Sequence, residues 1–159
     1  MIILGIDPGT ASTGYGIIQT NGKKIEVVKC LECSVIHTSP DLHKGERLKI
    51  INNRLIRIIR KHKPDVLAIE NVFFFKNLKT AMAVSQAEGA IFLMAAKKKL
   101  PVIEFTPPQI KLAITGDGKA DKKIVHKKLK KLLRLKDLPK SDDAADALAI
   151  ALTYFLKTA

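Results

Sequence analysis

Tryptophan is absent from this 159-residue chain and aromatic residues make up only 5% of it, so any stacking role falls to a few phenylalanines. Only two cysteines occur, Cys30 and Cys33, in a C-x-x-C spacing with no second pair to complete a zinc site. They lie in EVVKCLECSVI, which reads as a strand, where an i, i+3 pair points to opposite faces. Two buried thiols in a reducing cytosol are therefore expected. No apolar run approaches the ~20 residues that cross a bilayer, and MIILGIDPG lacks a charged leader or cleavage site. A cytoplasmic protein without a membrane is the expectation. Acidic residues are also scarce, 15 against 28 Lys+Arg, for a net charge of +13. That balance favours a polyanion as partner, nucleic acid ahead of an anionic membrane surface. The hydrophobic fraction of 47% excludes disorder, and the length suits one domain spanning residues 1–159.

The few acids stand in conspicuous positions. Asp7 ends the apolar run MIILGI, Glu70 ends VLAI, and Asp143 and Asp146 open SDDAADALAIALTYF. Singly, each has an ordinary explanation: a turn residue before Pro-Gly, the start of a loop, or an acid favouring the positive end of a helix dipole. Jointly, two strand-end acids and a helical i, i+3 pair are a less common coincidence. Acids gathered inside a basic protein repel one another unless a cation lies between them, and a divalent metal is the simplest such cation. Mg²⁺ prefers oxygen ligands and keeps several waters, so two ions ~4 Å apart need a handful of carboxylates with open positions. One ion activates a water and the other stabilises the leaving oxygen, which is phosphodiester chemistry. His37, His43, His62 and His126 are scattered, and each is expected at the surface.

The order of elements carries these acids toward one edge. Residues 2–6 read as a strand, 14–19 as a second, Asn21-Gly22 as a hairpin turn and 24–36 as a third. Helical spacing of Leu48, Ile51, Leu55 and Ile58 over 45–61 ends at Pro64, and 65–70 is a short buried strand. Residues 78–98 form a helix apolar or small nearly all round, either deeply buried or packed on another subunit. Residues 101–105 are a strand, and Thr106-Pro-Pro-Gln109 is a strong helix start. After the break at 116–120, a helix over 121–136 carries Lys122, Lys123, Lys127, Lys128, Lys130 and Lys131, either a solvated or a phosphate-contacting face. Ser141 caps the last helix. The expected fold is α/β, a five-stranded mixed sheet flanked by helices. The first strand pairs with the hairpin on one side and with the two later, parallel strands on the other. Asp7 and Glu70 then end neighbouring parallel strands, where sites of open α/β sheets lie, and residues three apart bring Asp143 and Asp146 to one helix face.

Five segments, GIDPGTASTGYG, AIENVFFFKN, SQAEGA, PPQIKLAITGDGKADKKIV and DAADALAIAL, resemble in order and spacing the RuvC family of Holliday junction resolvases. The resemblance spans almost the whole chain. It implies an RNase H-like fold, a homodimer through the 78–98 helix, and paired symmetric Mg²⁺-dependent nicks in four-way DNA junctions during recombination and repair. Two Mg²⁺ ions per site are implied, with Mn²⁺ as a substitute left open, as is a branch-migration motor as partner. Residue by residue, Asp7, Glu70, Asp143 and Asp146 correspond to the catalytic metal ligands, with Asp142 a near neighbour of that register. Phe73 corresponds to an aromatic contacting bases near the junction centre. Lys111 and Lys122 correspond to lysines near the scissile phosphate, Lys123 being the alternative to Lys122. G-I-D-x-G-T also opens the phosphate loop of actin-like ATPases and sugar kinases, but those need two such domains and leave DAAD and the lysine helix unexplained. A non-catalytic DNA binder would be marked by a missing acid, and all four are present. A related nuclease acting on RNA or on other branched DNA is the nearer alternative.

Overall fold

The computed structural model describes residues 1–71 and 78–159, with residues 78–80 described by backbone alone. The first strand, β1 (Ile2–Asp7), is apolar on both faces because helices cover both. Its antiparallel neighbour β2 (Ser12–Gln19) pairs in turn with β3 (Lys29–His37). On the other side, β1 runs parallel to β4 (Val66–Glu70), and β4 parallel to β5 (Val102–Phe105). The sheet order β3-β2-β1-β4-β5 is the expected mixed sheet.

One face of the sheet is covered by α1 (Lys44–His62) and α2 (Leu78–Lys97). Ile51, Leu55 and Ile58 of α1 and Ala87, Ile91 and Met94 of α2 pack with Leu4, Ile6 and Ile17. The other face takes α5 (Asp142–Thr158), which α3 (Pro107–Thr115) and α4 (Lys122–Leu132) cover from outside. That sandwiching explains why α5 is buried nearly all round, from Ala144 to Phe155. Burial of Leu148, Ile150 and Phe155 stabilises by roughly 1.5–3 kcal/mol each.

The contact between α5 and the sheet is unusually close, and glycine makes it so. A Cβ on Gly14 would run into the Asp143 carbonyl, and one on Gly16 would lie 2.8 Å from the Leu148 amide nitrogen. At Gly5 an added Cβ would meet the Ala147 carbonyl and come within 2.7 Å of the Ala151 nitrogen. Ala144, Ala147 and Ala151 are the matching small residues on the helix.

Three expectations need correction. The β2–β3 connection is not a tight Asn-Gly hairpin: Gln19 and Lys29 are the last pair, and a 3₁₀ turn at Ile25–Val27 fills the space between. The third strand thus starts at Lys29, because Val28 is drawn into the core instead of the ladder. Cys30 and Cys33 do not point to opposite faces, since Ile17 pairs with Glu32 and Ile18 with Cys30. Leu31 is therefore an unpaired bulge residue, the alternation slips by one, and both thiols pack on the α5 side. Finally, Ser141 sits at the start of α5 but its side chain makes no cap bond there. The capping box at Thr106 and Gln109 is present in full.

Gly14→Ala should force α5 off the sheet. We expect a loss of about 1–3 kcal/mol in denaturant unfolding, with a larger loss of activity, because Asp143 would move with the helix. An unchanged unfolding midpoint would contradict the close contact.

Candidate active site at the carboxyl edge of the sheet

β1 and β4 end side by side, and their last residues are Asp7 and Glu70. The loop after Asp7 is tied down by side chains: Thr13 Oγ1 donates to the Gly9 carbonyl at 2.6 Å, and Thr38 Oγ1 donates to that of Thr10 at 2.5 Å. At its other end, β4 is fastened to β1 by Asp65, whose carboxylate accepts from the Ile2 amide at 2.7 Å. Above this edge the first two turns of α5 hold Asp143 and Asp146, one turn apart.

Electrostatics shows how near these groups are. Burial pushes the Asp7 carboxyl up to about 8, helped by the negative charges of Glu70, Asp146 and Asp143 and opposed by Lys122. Burial likewise lifts Glu70 to about 7, with Asp146 adding to the rise and Lys122 and Lys111 opposing it. The four acids occupy one electrostatic neighbourhood. Asp142 stands apart, largely exposed at 72% and directed to Lys122.

Each helical acid has its own donors. Ser12 Oγ donates to Asp143 Oδ2 at 2.5 Å. Asp146 meets Lys122 Nζ at 2.8 Å through Oδ2 and His126 Nε2 at 2.8 Å through Oδ1. Lys122 also reaches Asp142 at 3.3 Å. Burial works against its charge, but the bonds to Asp146 and Asp142 outweigh that, and its pKa is raised. Between α3, α4 and α5 lies a cleft of about 260 Å³, lined by Glu70, Lys111, Lys122 and Asp146 together with apolar residues.

The structure thus gathers Asp7, Glu70, Asp143 and Asp146, with Lys111 and Lys122 beside them. Lys122, not Lys123, is the lysine joined to the acids. Phe73, with Phe74 and Phe75, lies outside the described residues. Two histidines are not surface groups. His126 is 13% exposed against Asp146, and His62, on the opposite face of the sheet, is 12% exposed and 2.9 Å from Glu32. Glu32 also accepts from Lys61 and Tyr15, and these bonds, Lys61's first, hold its carboxyl down at about 2. The periodicity of α4 could have revealed His126, which stands four residues from Lys122. Ser12 shares the strand face of Gly14 and Gly16, which is its signal.

Among the described residues, no three acidic, His or Cys side chains converge on one ion position. The donor set nonetheless fits Mg²⁺, which takes one or two carboxylates and keeps its waters. Two half-buried carboxyls pushed toward neutrality are what a cation would relieve.

A mixed sheet in this order, with carboxylates at the ends of its central parallel strands and on the helix above them, defines an RNase H-like nuclease. Residues 3–154 match the family described as Crossover junction endodeoxyribonuclease RuvC, and the chain belongs to that family. The family member from Fusobacterium nucleatum is 46% identical over 154 residues, covering 97% of this chain and 80% of the relative. That from Desulforamulus reducens is 47% identical, covering 97% and 93%. Among solved structures, T. thermophilus RuvC in complex with Holliday junction substrate has a TM-score of 0.91 at 34% identity, covering 99% and 94%. The activity that goes with membership is endonucleolytic resolution of Holliday junctions.

A carboxyl with a folded pKa above its unfolded one weakens the fold once the unfolded chain can ionise. The unfolded value is about 4, so stability falls as pH rises from there toward 8. In EDTA the melting temperature should therefore drop between about pH 5 and pH 8, and Mg²⁺ should restore it. Asp7→Asn should stabilise the metal-free protein at pH 8 by on the order of 2–4 kcal/mol. A melting temperature that Asp7→Asn leaves unchanged would mean that Asp7 is not crowded.

Proposed function

We propose that this chain cuts four-way DNA junctions by paired symmetric nicks and that Asp7, Glu70, Asp143 and Asp146 hold two Mg²⁺ ions for the reaction. The observation that carries the reading is the gathering of the acids at one edge, where burial first and their mutual repulsion second lift Asp7 and Glu70 toward neutrality. When bound, the ions supply an activated water and stabilise the leaving 3′ oxygen. The chain's own groups do the remaining work. Asp7 and Glu70 offer oxygens from rigid strand ends, and Asp143 and Asp146 offer theirs from the helix above. Lys111 and Lys122 attract the phosphate into the cleft and offset its charge there. Lys122 is half exposed, so its pairs with Asp142 and Asp146 contribute little to stability and leave it available to substrate.

Junction binding is attributed to the basic face of α4 and to Phe73, an aromatic that could stack on an unpaired base for ~1–3 kcal/mol. A homodimer through α2 is supported by the exposed Met82 and Leu93, which share a face eleven residues apart with Gly89 between them. A branch-migration motor is proposed as companion, a reading that family membership supports. A cytoplasmic location suits the two free thiols Cys30 and Cys33, and among the described residues no helix is long and apolar enough to cross a membrane.

The test is a digestion panel in Mg²⁺: mobile junction, fixed junction, fork, duplex and RNA–DNA hybrid. Symmetric cuts confined to the junctions are expected, and cleavage of the hybrid alone would sink the reading. Asp7→Asn, Glu70→Gln, Asp143→Asn and Asp146→Asn should each lower cleavage by about 100-fold or more while junction binding stays largely intact. Near-normal nicking by any of them removes that residue from the metal site. Binding should also weaken steeply with salt, as counterion release requires.

A further inference from the structure

α4 directs two donors, four residues apart, at one carboxylate. Lys122 takes Asp146 Oδ2 and His126 takes Oδ1, each at 2.8 Å. The two contacts differ in kind. Lys122 is 49% exposed and shared with Asp142, whereas His126 is 13% exposed. An ionised carboxylate only accepts hydrogen bonds, so His126 Nε2 carries a proton and donates it. Docking of α4 on α5 does not need this bond. Val125 and Leu129 already bury that face of the helix, and a buried polar pair is seldom more stabilising than apolar packing of the same volume.

We propose that His126 is a positioning residue. It fixes one oxygen of Asp146 so that the carboxylate keeps its place beside Asp7 and Glu70 when Lys122 turns to the substrate phosphate. The inference rests on Asp146 being a metal ligand. The other helical acid is held in a parallel way, from the sheet side, by Ser12. Two donors from separate elements thus set two acids one turn apart on the same helix. Partners that orient metal ligands in this manner are worth about 10–100-fold in metal affinity.

Glutamine and asparagine separate positioning from packing. Both are neutral amides, but the Gln amide nitrogen falls where His Nε2 stands, and that of Asn stops one carbon short. Mn²⁺ binding to the DNA-free protein, followed by the electron paramagnetic resonance of the free ion, is the main readout, with kcat and KM on a four-way junction as the second. His126→Gln should bind Mn²⁺ within about threefold of the parent, and His126→Asn should bind ~10–100-fold more weakly. The Asn variant should lose kcat at unchanged KM. Equal binding by both variants, or equal loss in both, overturns the proposal, because ring packing alone would treat the two amides alike. Unchanged Mn²⁺ binding in Asp146→Asn would overturn the ligand reading beneath it, whatever the His126 variants do.

Discussion

Backbone-to-backbone contact between α5 and the glycine strip of β1 and β2 is the constraint on which the rest of the structure depends. Gly5, Gly14 and Gly16 leave no side chain between strand and helix, and the helix meets them with Ala147 and Ala151, with Asp143 and with Leu148 respectively. The helix therefore lies close enough for Asp143 and Asp146 to share the space of two strand-end carboxylates. A larger residue at any of these glycines would meet the helix backbone at 2.8 Å or less. Packing and chemistry meet at the same atoms.

The crowding that follows is a deliberate instability. Asp7 and Glu70 are half-buried at the sheet edge, where burial makes their charge unwelcome. The scaffold resists the resulting repulsion through the tied loop after β1, the Asp65 clasp and the two-sided burial of β1. On the opposite face, Glu32 presents the reverse case. Its carboxylate has Lys61, Tyr15 and His62 as partners and ionises readily. One sheet thus carries a carboxylate held low by its donors on one side and two carboxyls lifted by burial at its edge.

Much of this was legible in the sequence, for reasons that differ by residue. The sheet order followed from apolar runs and turn signals, and the acids from their position at the ends of those runs. The Thr106–Gln109 box was readable because capping is local in sequence. What escaped depended on partners far along the chain. The bulge at Leu31 exists only relative to β2, so no periodicity within β3 could reveal it. His126 and Ser12 acquire their roles from acids 20 and 131 residues away. The hairpin connection misled because Asn-Gly is a strong local signal, while burial of Val28 is a tertiary effect that overrides it.

That bulge has a bearing on how the chain tolerates changes of length. Because Leu31 takes no partner, the residues on either side of it serve different masters: Cys30 and Cys33 line the roof of the nuclease half, and Glu32 reaches back to α1. Deleting Leu31 would shorten no loop and break no visible motif. It would leave Cys30 and Glu32 as consecutive, alternating positions, each still facing its own layer, whereas pairing Leu31 into a regular ladder would exchange the two faces of half the strand. A single unpaired residue on β3 acts as the phase marker of the sheet, and a drift of one position there would be felt as a buried charge rather than as a change in length.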